Sequence, residues 1–209
     1  MDRKNVDILE KLNRLFPDAK PELNFTTPFE LLIATILSAQ CTDIRVNIIT
    51  KVLFDKADTP EKILELGQKE IQNIIKSCGI YRQKSKYIFN ASRDIVDKFD
   101  SKIPETVDGL MKLSGVGIKT ANVVVSNAFG VPAVAVDTHV FRVANRLGLV
   151  DADNVQETEK QLMEGIPKER WIKLHHQLIF LGRRICKARN PLCEECILKT
   201  ECKYYNKKE

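Results

Sequence analysis

The sequence predicts an all-α protein of about ten short helices, on three observations. The strict apolar–polar alternation of a half-buried strand is absent. Apolar residues recur at helical spacing nearly throughout. Candidate helix starts and stops are punctuated by capping residues, prolines and glycines.

Taken in order, the opening stretch MDRKNVDILEKLNRLF is charged and helical in pattern. Thr27-Pro28-Phe29-Glu30 reads as a capping box: threonine caps, proline occupies the first turn, glutamate reaches back. Leu31, Leu32, Ile33, Ile36 and Leu37 then make a helix apolar on most sides, hence buried. A second helix follows it, with Asp43 as the expected cap. Thr59-Pro60 opens another, which Gly67 is expected to end. Glu70 to Ser77 reads as short and amphipathic, closed by Gly79. Gln83 to Lys98 is longer, with Ile88, Ile95, Val96 and Phe99 on its apolar stripe. Pro104 is expected to open a helix that stops near Leu113. Further helices are expected at Ile118–Ala128, Asp137–Leu147, Asn154–Glu164 and Lys168–Leu181.

The 209 residues suffice for one large or two small domains. Hydrophobic residues at 44% and charged residues at 29% exclude a disordered chain. The N-terminal stretch has no apolar signal core, so secretion is not expected. The longest apolar runs, such as Val131 to Val136, are far too short to span a bilayer. A cytoplasmic protein is expected, nucleoid-associated if the source is prokaryotic. A net charge of +5 and a pI near 8.8 are compatible with a polyanionic partner without demanding one.

Four of the six cysteines, Cys186, Cys193, Cys196 and Cys202, fall within seventeen residues. In a reducing compartment that crowding reads as a metal or cluster site rather than as disulfides. Iron in a cluster favours four thiolates, and tetrahedral zinc accepts them too. Cys41 and Cys78 lie far away in sequence and read as small buried hydrophobes.

Leu113-Ser114-Gly115-Val116-Gly117-Ile118-Lys119-Thr120-Ala121 is the most informative stretch. Two helices flank a Gly-Val-Gly turn, and the second starts right after it. Its free N–H groups and positive dipole end suit an anion such as one DNA phosphate. A tight helix–helix turn without a ligand fits the glycines as well. Lys119 lies in the first turn of that helix, where its charged form is disfavoured. A neutral amine is what nucleophilic catalysis requires, whereas a plain surface lysine touching phosphate is the simpler alternative. Asp137 precedes Thr138-His139-Val140 and fits a helix cap, a role that can coexist with catalysis. His139 reads as a structural histidine. Of His175 and His176, one is expected to be packed and one exposed.

The segment Leu113 to Arg142, LSGVGIKTANVVVSNAFGVPAVAVDTHVFR, resembles the helix-hairpin-helix and Gly/Pro-Asp loop of the endonuclease III family. The resemblance extends to Leu37-Ser38-Ala39-Gln40-Cys41-Thr42-Asp43 and to the C-x6-C-x2-C-x5-C spacing, and it covers nearly the whole chain. One departure is Ser114, where the family is expected to carry proline before the first hairpin glycine. The resemblance implies a base-excision repair enzyme that acts as a DNA glycosylase and as a lyase at abasic sites. It implies Lys119 as nucleophile, Asp137 as catalytic carboxylate and a hairpin (Gly115, Gly117) on the DNA backbone. It also implies a [4Fe-4S] cluster on Cys186, Cys193, Cys196 and Cys202.

In the family the glutamine enters the space left by the flipped nucleotide, which makes Gln40 the candidate plug. Ile80, in Cys78-Gly79-Ile80-Tyr81, is the candidate apolar wedge. A helix C-cap amide for Gln40 and a core contact for Ile80 are the simpler alternatives. Lys187 and Arg189, between the first two cysteines, would project from a loop clamped to the cluster and grip phosphates.

The resemblance further implies two helical domains with a DNA-binding cleft between them. Residues 22–131 would form one domain, carrying the hairpin. Residues 1–21 with 132–209 would form the other, carrying Asp137 and the C-terminal iron–sulfur cluster loop. Expected substrates are oxidised or reduced pyrimidines, such as thymine glycol, and abasic sites in double-stranded DNA. The protein is expected to act as a monomer without a membrane partner. Two alternatives are a monofunctional glycosylase of the same superfamily, against which Lys119 speaks, and a non-catalytic DNA-binding module with a structural zinc.

Overall fold

The computed structural model describes residues 2–207, and every regular element among them is a helix. In chain order these are α1 (Arg3–Leu15), α2 (Pro28–Ser38), α3 (Asp43–Lys56), α4 (Pro60–Ile74), α5 (Tyr81–Phe99) and α6 (Val107–Leu110). They continue with α7 (Ile118–Phe129), α8 (Thr138–Leu147), α9 (Val155–Gly165), a 3-10 turn (Lys168–Arg170), α10 (Trp171–Arg184) and α11 (Lys203–Asn206). No helix among the described residues is long and apolar enough to cross a membrane.

The helix starts follow from their capping chemistry. Thr27, Thr42, Thr59, Thr106 and Asn154 each accept a bond from a first-turn N–H, satisfying a donor with no partner inside its helix. The box at Thr27 is shifted by one residue. The Glu30 carboxylate accepts from the backbone N–H and hydroxyl of Thr26 rather than reaching Thr27. The cap of α3 is Thr42, and Asp43 is its first helical residue, where its charge still favours the positive helix end. Gly67 ends the first helical stretch of α4 as expected: its backbone is non-helical at φ +78° and ψ 152°, and a second helical stretch runs from beyond it to Ile74. Pro104 does not open a helix: Thr106 caps the short α6 instead. At Lys168 the chain begins as a 3-10 turn before α10. The four-residue α11 has no counterpart in the sequence expectation.

The chain divides into two compact units. Pro21–Val131 forms one, and the chain on either side of it forms the other. In the first, α2 is the central element: every residue from Phe29 to Leu37 is buried, as its apolar circumference requires. It packs on α3, α5 and α7, while α4 lies along α5. In the second, Ile8, Leu9 and Leu12 of α1 join Val140 and Val143 of α8, with Leu174 and Leu178 of α10, in one apolar core. His175 and His176 are both buried there, which corrects the expectation that one would be exposed. Cys78 is buried but Cys41 only partly so, a second correction.

Candidate active site

The hairpin turn is fixed from below. Val116 is buried, and its N–H donates to the carbonyl of Leu113. Gly115 has φ +78°, and a Cβ there would stand 2.4 Å from Cγ of Tyr87. Both the left-handed backbone and the contact with α5 therefore require glycine. Gly117 differs. Its φ is −96°, and a Cβ would meet nothing within 4 Å. Neither strain nor packing demands glycine there, so what its bareness provides is an open approach for a partner's backbone. Gly117 is also the N-cap of α7 and makes no side-chain cap bond. The helix thus presents uncapped N–H groups beside Gly115, Gly117 and Lys119, all exposed.

Asp137 is the N-cap of α8. Its Oδ1 accepts from the N–H groups of His139 and Val140, both at 2.8 Å. Two bonds on one oxygen fix the carboxylate plane and leave Oδ2 outside the cap. Asp137 and Lys119 belong to different units. His139 is packed: a Cβ on Gly182 would lie 3.1 Å from its ring, and its Nδ1 is 3.1 Å from Nη2 of Arg142. Burial pushes its pKa down despite the Asp137 charge nearby.

Gln40 and Ile80 stand on neighbouring loops, both exposed and both left-handed, with φ of 54° and 50°. The cap of α2 is Ala39, so Gln40 lies beyond the helix end. Ile80 is 56% exposed and makes no core contact of the kind a buried isoleucine would. A left-handed β-branched residue is strained, and such strain persists only where the surroundings impose it. Here they do. A Cβ on Gly79 would sit 3.2 Å from the carbonyl oxygen of Gln40, so the two loops touch. Beneath them lies Lys84, 2% exposed, whose Nζ donates to the carbonyl of Leu37 at 2.8 Å and lies 3.6 Å from Sγ of Cys78. Burial, with Cys41 adding to it, pushes the Cys78 thiol up to about 11. A buried lysine that ties both loops together is a residue the sequence reading missed. Its signal was present: position 84 falls on the stripe of Ile88, Ala91 and Ile95, all buried.

Cys186, Cys193, Cys196 and Cys202 line one pocket with apolar neighbours that include Leu147, Leu181 and Ile185. A lone zinc held by four thiolates needs sulfurs about 3.8 Å apart, from a Zn–S distance of about 2.3 Å. Among the described residues no three Cys, His, Asp or Glu groups converge to hold one metal ion. Four sulfurs spaced around a common pocket suit a larger group. Burial pushes the thiols of Cys196 and Cys202 above their ordinary value, so thiolates there need a cationic partner. The loop between the first two cysteines is pinned by Arg146 of α8, which donates to the carbonyls of Lys187 at 2.8 Å and Ala188 at 3.1 Å. Arg142 donates to the carbonyl of Cys186. The side chains of Lys187 and Arg189 remain exposed on this fixed backbone. Neither arginine was singled out from the sequence; their four-residue spacing on α8 was the available hint.

Residues 33–168 match a family described as the HhH-GPD superfamily of base excision DNA repair proteins. The molecule is therefore a helix-hairpin-helix protein of base-excision DNA repair. Residues 186–202 match the iron–sulfur binding domain of endonuclease III. The endonuclease III of Bacillus subtilis is 51% identical over 202 residues, 96% of this chain and 92% of that protein. Two solved structures resemble the whole chain at 49% sequence identity, each covering 100% of it and 99% of their own length. One is a trapped endonuclease III–DNA covalent intermediate, with a TM-score of 0.92, and the other a non-covalent endonuclease III–DNA complex, with a TM-score of 0.93. The chain belongs to the endonuclease III family, and its cofactor is a [4Fe-4S] cluster.

Proposed function

We propose that the protein excises oxidised or reduced pyrimidines, such as thymine glycol, from double-stranded DNA and then cleaves the strand through a lysine Schiff base. The observation that carries this reading is Lys119, exposed in the first turn of α7 directly after an uncapped hairpin turn. The N–H groups at Gly115 and Gly117 hold a backbone phosphate, which positions the duplex without reading its sequence. Ile80 wedges the stack open, and Gln40 fills the space of the extruded nucleotide. The Lys119 amine attacks C1′, and the bond from C1′ to the base breaks, the base leaving with its electron pair and acquiring a proton. The Asp137 carboxylate stabilises the positive charge that develops on the sugar and assists in moving the lysine proton. Opening of the sugar ring gives an imine between Lys119 and C1′. Loss of the acidified C2′ proton expels the 3′ phosphate, and water then releases the lysine.

Cys186, Cys193, Cys196 and Cys202 hold the cluster, which, when bound, supplies a rigid structural anchor. Lys187 and Arg189 grip the phosphate backbone from the loop that it fixes. We propose that the protein acts as a cytoplasmic monomer, nucleoid-associated if its source is prokaryotic.

The test is borohydride trapping on a duplex containing thymine glycol or an abasic site. A covalent adduct with the wild type and none with folded Lys119→Ala is the expected result. No adduct from folded, cluster-loaded wild type on either substrate would refute the lyase reading and favour a monofunctional enzyme.

A further inference from the structure

Ser114, the residue before the first hairpin glycine, has a partner on α5. Its N–H donates to Oδ2 of Asp94 at 3.0 Å, and its hydroxyl donates to the same oxygen at 2.9 Å. The other carboxylate oxygen of Asp94 pairs with Lys98 at 2.7 Å. The Asp94 side chain is only 14% exposed, so this acid is committed to its partners rather than to solvent. A proline at 114 offers neither of the two donors that Ser114 uses.

Asp94 lies on α5 seven residues beyond Tyr87, and Tyr87 lies seven beyond Ile80. Seven residues are two helical turns, about 10.5 Å, so these positions share one face. Tyr87 carries Gly115 and Asp94 carries Ser114. The hairpin is therefore seated on α5 at two points, on the helix whose N-cap is Ile80.

We propose that Asp94 is a positioning residue for DNA binding. Through Ser114 it sets the hairpin against α5 at the tilt that the phosphate contact requires, by two hydrogen bonds to one carboxylate oxygen. The consequence is a fixed span between the hairpin and the Ile80 loop, because α5 carries both. This inference rests on the reading of the hairpin as a phosphate site.

The experiment measures affinity for a duplex carrying a tetrahydrofuran abasic analogue, which binds without forming an imine, across a series of salt concentrations. Asp94→Ala should weaken binding roughly tenfold, the scale for losing hydrogen bonds to a charged group. Asp94→Asn keeps an acceptor for Ser114 and should stay within roughly twofold of wild type. Ser114→Ala should add little in the Asp94→Ala background. Should Asp94→Ala fail to fold, Ser114→Ala, which loses one donor of two, should weaken binding by roughly threefold. Wild-type affinity in folded Asp94→Ala would overturn the role of Asp94 alone. Failure of wild type to trap on abasic DNA, with no salt-dependent binding, would instead overturn the reading beneath it.

Discussion

Two helices of this molecule begin in opposite ways. α7 starts on a glycine that caps nothing, and α8 starts on an aspartate whose Oδ1 takes two N–H groups. Both ends carry the same positive dipole and the same unpaired donors. One is left open, and the other is closed by a resident carboxylate. Under the proposed function the open end would recruit an anion brought by a partner, and the closed end would hold a negative charge at fixed orientation. On that reading a cap that is also a catalyst would be anchored by the bonds that stabilise the fold.

That comparison breaks most visibly at Asp137. Asparagine caps helices as well as aspartate does, so Asp137→Asn should change stability by less than about 0.5 kcal/mol. Without the charge, single-turnover base release should fall by about 10²–10³-fold, typical for removing one preorganised electrostatic group. Asp137→Ala should lose the cap as well, at about 1 kcal/mol in urea unfolding. Equal stability losses in both variants would show that the charge, not the cap, matters to the fold.

The two units also separate by acid response. All three histidines belong to the unit of α8. Burial, reinforced by His175, lowers His176 to about 3. Its ordinary unfolded value is about 6.5, so between those limits the unfolded chain binds the extra proton. Stability contributed by keeping His176 neutral is complete above pH 6.5 and is lost as pH falls toward 3. By pH 4.5 the loss should reach about 3 kcal/mol. Hydrogen exchange should show it first in α8 and α10, and uniform acid loosening of α2 and α5 would contradict this assignment.

The smallest expected effect comes from making α7 resemble α8. Gly117→Asp has room for its Cβ and a φ that aspartate adopts without strain. It should gain up to about 1 kcal/mol of stability by capping. The same carboxylate would occupy the N–H groups and repel phosphate, so affinity for abasic duplex should fall by roughly tenfold. A variant that is more stable and binds DNA unchanged would remove the hairpin from the interface.

The sequence announced the helices where capping residues are local in their chemistry, as at Thr27-Pro28 and Thr59-Pro60. It misplaced boundaries where neighbours decide. Gly67 interrupts the helical backbone as its type predicts, whereas Pro104 leaves the start of α6 to the cap at Thr106. His175 and His176 are adjacent, and periodicity alone assigns one of them to solvent; burial of both depends on what covers α10. For the candidate site, motif spacing named the hairpin, Lys119, Asp137 and the cysteines. It could not name Lys84, Asp94, Arg142 or Arg146, because their partners are backbone carbonyls or side chains distant in sequence. A carbonyl acceptor leaves no mark on composition.

The division of the chain carries a consequence for synthesis on the ribosome. α1 is made well before its partners: the apolar side formed by Ile8, Leu9 and Leu12 packs in a core whose other members begin at Val134, apart from Phe16. Lys11 pairs with Glu201, next to the last cysteine. The unit from Pro21 to Val131 can close while the rest is still being translated. α1 must wait, its apolar side uncovered, for nearly the whole chain to emerge. α1 is thus made early and settles late, and cluster insertion must await Cys202, where all four thiols first coexist.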